Sequence, residues 1–150
     1  MKRIATTLAW AGLALAPQLA LAETDKQVID TVEAYFEFVD ANGGTILAEQ
    51  IPAEDYAKFH VPDVRDAAQF AKTHLPGAHN IEWRSVFAQR ASLPKNKTIL
   101  VYCNTSSFAA QVAMALRLDG FENVRTLYGG FNQWQAAGGM DAYARAIKKP

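Results

Sequence analysis

From residue 45 onward the chain alternates between short apolar runs and segments of helical periodicity, which limits the architectures open to it. The clearest run is TILVY at residues 98–102, continuous, β-rich and preceded by a Pro94-Lys95-Asn96-Lys97 turn. A strand buried on both faces needs an uninterrupted apolar run of this kind. Around it the pattern predicts strands over 45–48, 59–65, 78–81 and 124–127, the second weakened by Pro62. Helices are expected over 53–59, 66–73, 83–90, 107–119 (closed by Gly120) and 131–137 (closed by Gly138-Gly139). Strands separated by helices predict an α/β domain with a mostly parallel central sheet flanked by helices. Its ligand crevice should lie at the carboxyl ends of the strands.

The 150 residues are half apolar, enough for the core of one domain. Lys plus Arg equals Asp plus Glu at 15 each, so no electrostatic case for nucleic acid arises. The single cysteine excludes an internal disulfide framework and a thiolate-rich metal site. His60 and His79 have no metal-ligand spacing with His74, so no metal site or other cofactor is expected.

Residues 1–22 read as a cleaved secretory signal. Lys2 and Arg3 supply a positive start, an apolar run follows, and Ala20-Leu21-Ala22 is a cleavage pattern. A transmembrane span needs about 20 apolar residues. Pro17 and Gln18 interrupt this run too early for that, so no stable membrane insertion is expected after cleavage. The expected location is the periplasm. Residues 23–44 form an N-terminal helical extension. Thr24 and Gln27 have capping-box spacing, Val28, Val32, Tyr35, Phe36 and Val39 recur at helical intervals, and Gly43-Gly44 follow as a stop. The aromatic stripe of that helix reads as core. Residues 45–139 form the domain proper and 140–150 a tail.

Cys103 follows TILVY directly and precedes Asn104-Thr105-Ser106-Ser107, which lead into a helix from Phe108. A short polar loop between a strand end and a helix N-terminus can turn its amides inward as an anion-binding nest, with the positive end of the helix dipole behind them. A thiol there is expected to ionise more readily than a free cysteine, and the thiolate is the nucleophile. A small buried cysteine that merely ends a strand is the other reading of the same pattern. At least one of Ser106 and Ser107 is expected to cap the helix.

These residues resemble the rhodanese-like domain family. Asp63-Val64-Arg65-Asp66, Phe70-Ala71, His74-Leu75-Pro76-Gly77-Ala78 and Asn80-Ile81 look like that family's front signature. TILVYC with its loop and helix resembles the active-site segment, and Gly120-Phe121, Val124, Leu127, Gly129-Gly130 and Trp134 resemble the closing segment. The resemblance covers roughly residues 45–139 and implies a three-layer fold and a sulfurtransferase. By that resemblance Cys103 takes sulfur from a sulfane donor and passes it from a persulfide to a thiol or other thiophilic acceptor. The amides of Asn104, Thr105, Ser106, Ser107 and Phe108 would cradle the extra sulfur. A catalytically weak binding module and a redox-sensing thiol remain as alternatives.

The departure from the family pattern lies in the loop. Active rhodaneses often carry arginine five positions after the cysteine and commonly glycine at the third, where this chain has Phe108 and Ser106. Without that cation thiosulfate should be a poor donor, and the oxyanion chemistry of rhodanese-fold phosphatases and arsenate reductases is disfavoured. Phe108 has two readings: core packing in line with Val112 and Ala115, or an apolar lip beside the cysteine. Asp63 and Arg65 are expected as a supporting ion pair under the loop, and His74 as a turn-fixing residue. Gly129 and Gly130 are expected to permit close backbone approach, and Trp134 to pack beneath the loop. Arg84 and Arg125 are candidate substitutes for the missing cation.

Overall fold

A computed structural model describes residues 26–138. The signal expected over 1–22, Thr24 of the capping pair, Gly139 and the tail at 140–150 lie outside the described residues. In chain order the elements are α1 (Lys26–Phe38), β1 (Thr45–Ile46), α2 (Ala53–Tyr56), β2 (Pro62–Asp63), α3 (Ala67–Lys72), β3 (His79–Asn80), α4 (Trp83–Val86), β4 (Ile99–Val101), α5 (Ser107–Leu118), β5 (Val124–Leu127) and α6 (Gly130–Ala136). Several are shorter than their apolar runs. The strand expected over 45–48 gives way to a 3-10 turn at Ala48–Gln50. The helix expected over 83–90 divides into α4 and a 3-10 turn at Arg90–Ser92.

All strand pairs are parallel. β4 lies between β5 and β2, with β1 beyond β5 and β3 beyond β2. The β2–β4 seam explains why Pro62 sits in a central strand. His60 donates to the Thr98 carbonyl and accepts from the Leu100 amide, at 2.9 and 2.8 Å; Tyr102 donates to the Pro62 carbonyl and Val64 to the Tyr102 carbonyl, at 3.2 and 2.9 Å. The rung these leave out runs from residue 62 to the Leu100 carbonyl, the one a proline cannot donate. The sheet therefore tolerates Pro62 for the loss of one bond, and β2 is a central strand rather than an edge.

Side chains of β4 alternate between two cores, as a doubly covered strand requires. Ile99 and Val101 face Val86, Ala109, Val112, Ala113 and Leu116 of α4 and α5, with Val124 of β5. Leu100 and Tyr102 face Tyr56, Leu75, Leu127 and Phe131, with Trp134 packed alongside. Helices thus cover both faces of the sheet. Cys103, continuing the alternation, belongs to the first core. No helix among the described residues is long and apolar enough to cross a membrane.

The N-terminal helix corrects one expectation. α1 buries no residue fully, and Val28, Ile29, Phe36 and Phe38 stand exposed. Its apolar stripe is real, but the helices named above already cover both sheet faces. α1 is held through Arg117 of α5, whose guanidinium donates to the Tyr35 hydroxyl (3.1 Å) and to the carbonyls of Gly43, Gly44 and Val124 (3.1, 3.2 and 2.6 Å). A Cβ at Gly44 would overlap that guanidinium, so the glycine turn leaves space for the tether.

Candidate active site

β4 delivers Cys103 to the carboxyl edge of the sheet and α5 starts four residues later. The cysteine is 1% exposed. Between them Ser106 turns the chain with φ +86°, the one non-glycine residue with positive φ among those described. That conformation redirects its hydroxyl, which donates to the Leu127 carbonyl at 2.8 Å. No side-chain cap bond forms on α5. The expected serine cap is therefore absent: an N-cap side chain returns to the helix amides from an extended backbone, and Ser106 is left-handed. Ser107 opens the helix and its hydroxyl lies 3.4 Å from that of Thr105. Among the described residues no acceptor stands against the amides of Thr105 to Phe108. Asn104 ties the loop to α3 through Gln69 Oε1 at 3.3 Å.

The loop rests on the start of α6. Phe131 and Asn132 amides donate to the carbonyls of Cys103 and Asn104 at 2.8 and 3.1 Å. Gly130, at φ +57°, makes this docking possible, since a Cβ there would overlap the Cys103 carbonyl oxygen. Gly129, also left-handed, caps α6 beside it.

Above the loop opens a crevice of about 430 Å³, and its lining includes Arg65, Asp66, Gln69, Glu82, Trp83, Arg84, Cys103 to Thr105, Ser107 and Phe108. Phe108 is 44% exposed, so its place is the crevice rim and not the core. Its ring stacks on Trp83 at 4.9 Å and 3°. Arg84, one of the two candidate cations, reaches the same Trp83 ring at 4.6 Å and pairs with Glu82 at 2.7 Å. Arg125 lies elsewhere, in β5, against Asp40 and a separate cavity that includes Tyr35 and Phe38.

Asp63 and Arg65 form a buried pair behind the crevice, 0% and 5% exposed. The Asp63 carboxylate accepts from the Arg65 amide (2.9 Å), its Nε (2.9 and 3.0 Å) and its terminal nitrogen (2.5 Å). It also accepts the Tyr102 hydroxyl at 2.6 Å, and that hydroxyl accepts from the Leu75 amide at 3.1 Å. Arg65 further donates to the Thr73 carbonyl at 2.8 Å and lies 4.1 Å from the centroid of the Phe131 ring. Burial and the bond to Asp63 hold the Tyr102 phenol far above its ordinary range. The pair with Asp63 holds the guanidinium above its usual value although burial, the largest single influence, opposes this. Both carbonyls flanking this pair, those of Asp63 and Arg65, receive the Asn80 amide. The network clamps β2, β3 and β4 together directly below the loop.

His74 is exposed and does not line the crevice. Its Nδ1 donates to the Phe70 carbonyl at 2.9 Å and its ring stacks on Phe70 at 4.1 Å. Trp134 stacks on Tyr56 at 6.2 Å and packs against the second core. The His60 and His79 rings meet at 4.0 Å, tilted by 45°, and neither Nε2 has a partner among the described residues. No group of three or more His, Cys, Asp or Glu among the described residues could hold a metal ion. Sequence reasoning did not single out Gln69, Glu82, Trp83 or Tyr102 as site residues. Only the Trp83-Arg84 pair at the start of a helix following a strand carried any local signal.

Residues 45–137 match the rhodanese-like domain family. The chain is 32% identical over 76 residues to the thiosulfate sulfurtransferase GlpE of Coxiella burnetii, spanning 51% of this chain and 71% of that protein. It is 30% identical over 90 residues to YqhL of Bacillus subtilis, spanning 60% and 71%. The solution structure of the rhodanese-like domain of Alr3790 from Anabaena superposes with a TM-score of 0.58 at 29% identity, covering 64% of this chain and 76% of that one. With the family match running from β1 to the end of α6, and a cysteine loop at the carboxyl edge of the parallel sheet, this chain belongs to the rhodanese-like domain family.

Proposed function

We propose that the protein is a sulfur carrier in which Cys103 accepts a sulfane sulfur and passes it as a persulfide to a thiol. The observation that carries the reading is the loop geometry. Cys103 lines the crevice, and the helix amides after it lack an internal acceptor because Ser106 directs its hydroxyl to Leu127. Such amides can hold the terminal sulfur of a persulfide anion where charge develops. The thiolate attacks the outer sulfur of the donor, the old S–S bond breaks toward the donor residue, and the new one forms at Cys103 Sγ.

The donor is an organic persulfide rather than thiosulfate. Both cations lining the crevice already have partners, Arg65 with Asp63 and Arg84 with Glu82, and Asp66 and Glu82 line it as well. A doubly charged sulfonyl donor would enter with no uncommitted cation to meet it. Export directed by residues 1–22 would place the carrier in the periplasm, which cell fractionation checks.

Intact mass spectrometry of the purified protein after incubation with thiosulfate or with a low-molecular-weight persulfide tests the carrier. One sulfur atom gained on Cys103 from the persulfide, lost on adding cyanide and absent in Cys103→Ser, is the expected result. A second reading, a binding module, draws on the 1% exposure of Cys103. Failure of both donors to load a folded protein would select it.

A further inference from the structure

A second cavity, of about 220 Å³, runs between α4 and α5 next to the crevice. Its lining includes Val86, Phe87, Val112 and Leu116, and it shares Trp83 and Arg84 with the Cys103 crevice. The two cavities therefore adjoin across one aromatic wall, the Trp83 ring with Phe108 stacked on it. On this wall the family's usual arginine is replaced by a ring, so the apolar surface continues from the cysteine loop into the groove. Phe87, 44% exposed, extends it outward.

We propose that this groove is a subsite for the apolar body of the sulfur donor, an aryl-bearing low-molecular-weight persulfide whose S–S⁻ end enters the Cys103 crevice. The inference rests on the carrier reading above and adds the class of its donor. Size permits it: an apolar cavity of about 150 Å³ holds benzene. Polarity favours it, because apart from Arg84, Gln111 and the Trp83 indole N–H the described lining is hydrocarbon or aromatic. Position supports it, since Trp83 and Arg84 line both cavities and a body held in the groove lies beside the crevice that holds Cys103. The step balances without an outside oxidant. Cys103 thiolate and R–S–S⁻ give the Cys103 persulfide anion and R–S⁻, which leaves with the electron pair of the broken S–S bond.

The test compares benzyl persulfide with methyl persulfide, each released in solution from a stable precursor, by the rate of mass gain on Cys103. The expected result is a preference for benzyl of roughly tenfold or more, reduced by Ala115→Phe, which fills the groove, and by Phe87→Ala, which opens its outer wall. Equal loading by the two donors would overturn the groove assignment and leave the carrier standing. Loading by neither would overturn the carrier, and binding then decides the groove. Phenylmethanethiol titrated into Cys103→Ser should shift the Trp83 indole N–H resonance saturably while methanethiol does not. Absence of that shift overturns the subsite as well.

Discussion

Ser106 occupies a backbone position suited to glycine, and the consequence can be measured. Its φ of +86° costs a side-chain-bearing residue about 1–2 kcal/mol. The bond from its hydroxyl to the Leu127 carbonyl, 2.8 Å long and partly buried, returns about 0.5–1.5 kcal/mol. Ser106→Ala keeps the strain and loses the bond, so it should destabilise the protein by about 1 kcal/mol. Ser106→Gly loses the same bond and relieves the strain, against about 0.5–1 kcal/mol of extra chain entropy in the unfolded state. The glycine variant should therefore be more stable than the alanine variant by about 0.5–1 kcal/mol. Urea unfolding followed by circular dichroism, with all three proteins sharing one slope, resolves a difference of that size. An alanine variant as stable as the glycine one would refute the claim that residue 106 is strained. The uncapped amides of α5 would then need a cause other than the left-handed turn before them.

Gly130→Ala forces a Cβ into the Cys103 carbonyl from a left-handed backbone, and thermal unfolding should show a loss of about 2–4 kcal/mol. Asp63→Ala leaves the buried Arg65 guanidinium without its counter-ion, with an expected cost of about 3–5 kcal/mol in denaturant unfolding; a loss under about 1 kcal/mol would contradict the clamp described for β2, β3 and β4. Burial, with smaller contributions from His79 and Lys97, lowers the His60 imidazole to about 4, and burial lowers His79 too. The folded state then binds fewer protons than the unfolded one, so stability is full above pH 6.5 and falls by about 2–3 kcal/mol for His60 as pH drops toward 4. His60→Phe should flatten that slope in unfolding titrations across the same range. Phe108→Arg puts a cation back at the crevice rim, and thiosulfate-to-cyanide sulfur transfer should rise by about one to two decades in kcat/KM.

The strands and the cysteine loop were legible because their signals are local. TILVY is β-rich with an uninterrupted Ile-Leu-Val centre, as a doubly covered strand requires, and the polar residues after it mark the turn into α5. Features carried by tertiary contacts were not legible. Tyr102 reads as one more β-rich residue of that run, yet its hydroxyl meets Asp63, 39 positions earlier. Ser106 carries the composition of a helix cap but not the conformation, since residue type alone does not reveal a positive φ. Pro62 argued against a central strand on average behaviour. The sheet accepts it because the residue's lost amide corresponds to a single rung. In α1 the helical period correctly marked an apolar face but could not say what covers it.

Phe108 shows the same boundary between local and tertiary signals. Its spacing to Val112 and Ala115 suits a helix face packed on the sheet, but a residue in the first turn of α5 stands above the sheet's edge. There it meets Trp83, 25 positions earlier, and becomes the wall between crevice and groove. An arginine at that point would bring one charge to the mouth of the site and a matching preference for anionic oxygens. The ring brings none, and the crevice keeps only paired cations beside two carboxylates. A dianion entering such a site loses hydration that the amides of α5 alone must replace, whereas a persulfide brings one negative sulfur and an organic body that gains from leaving water. Under the proposed carrier function, the exchange of charge for aromatic surface shifts the preferred donor from an inorganic anion to an organic persulfide. Under the same proposal, the specificity of the site rests with Trp83, Phe87 and Phe108, the rings of the crevice and the adjoining groove.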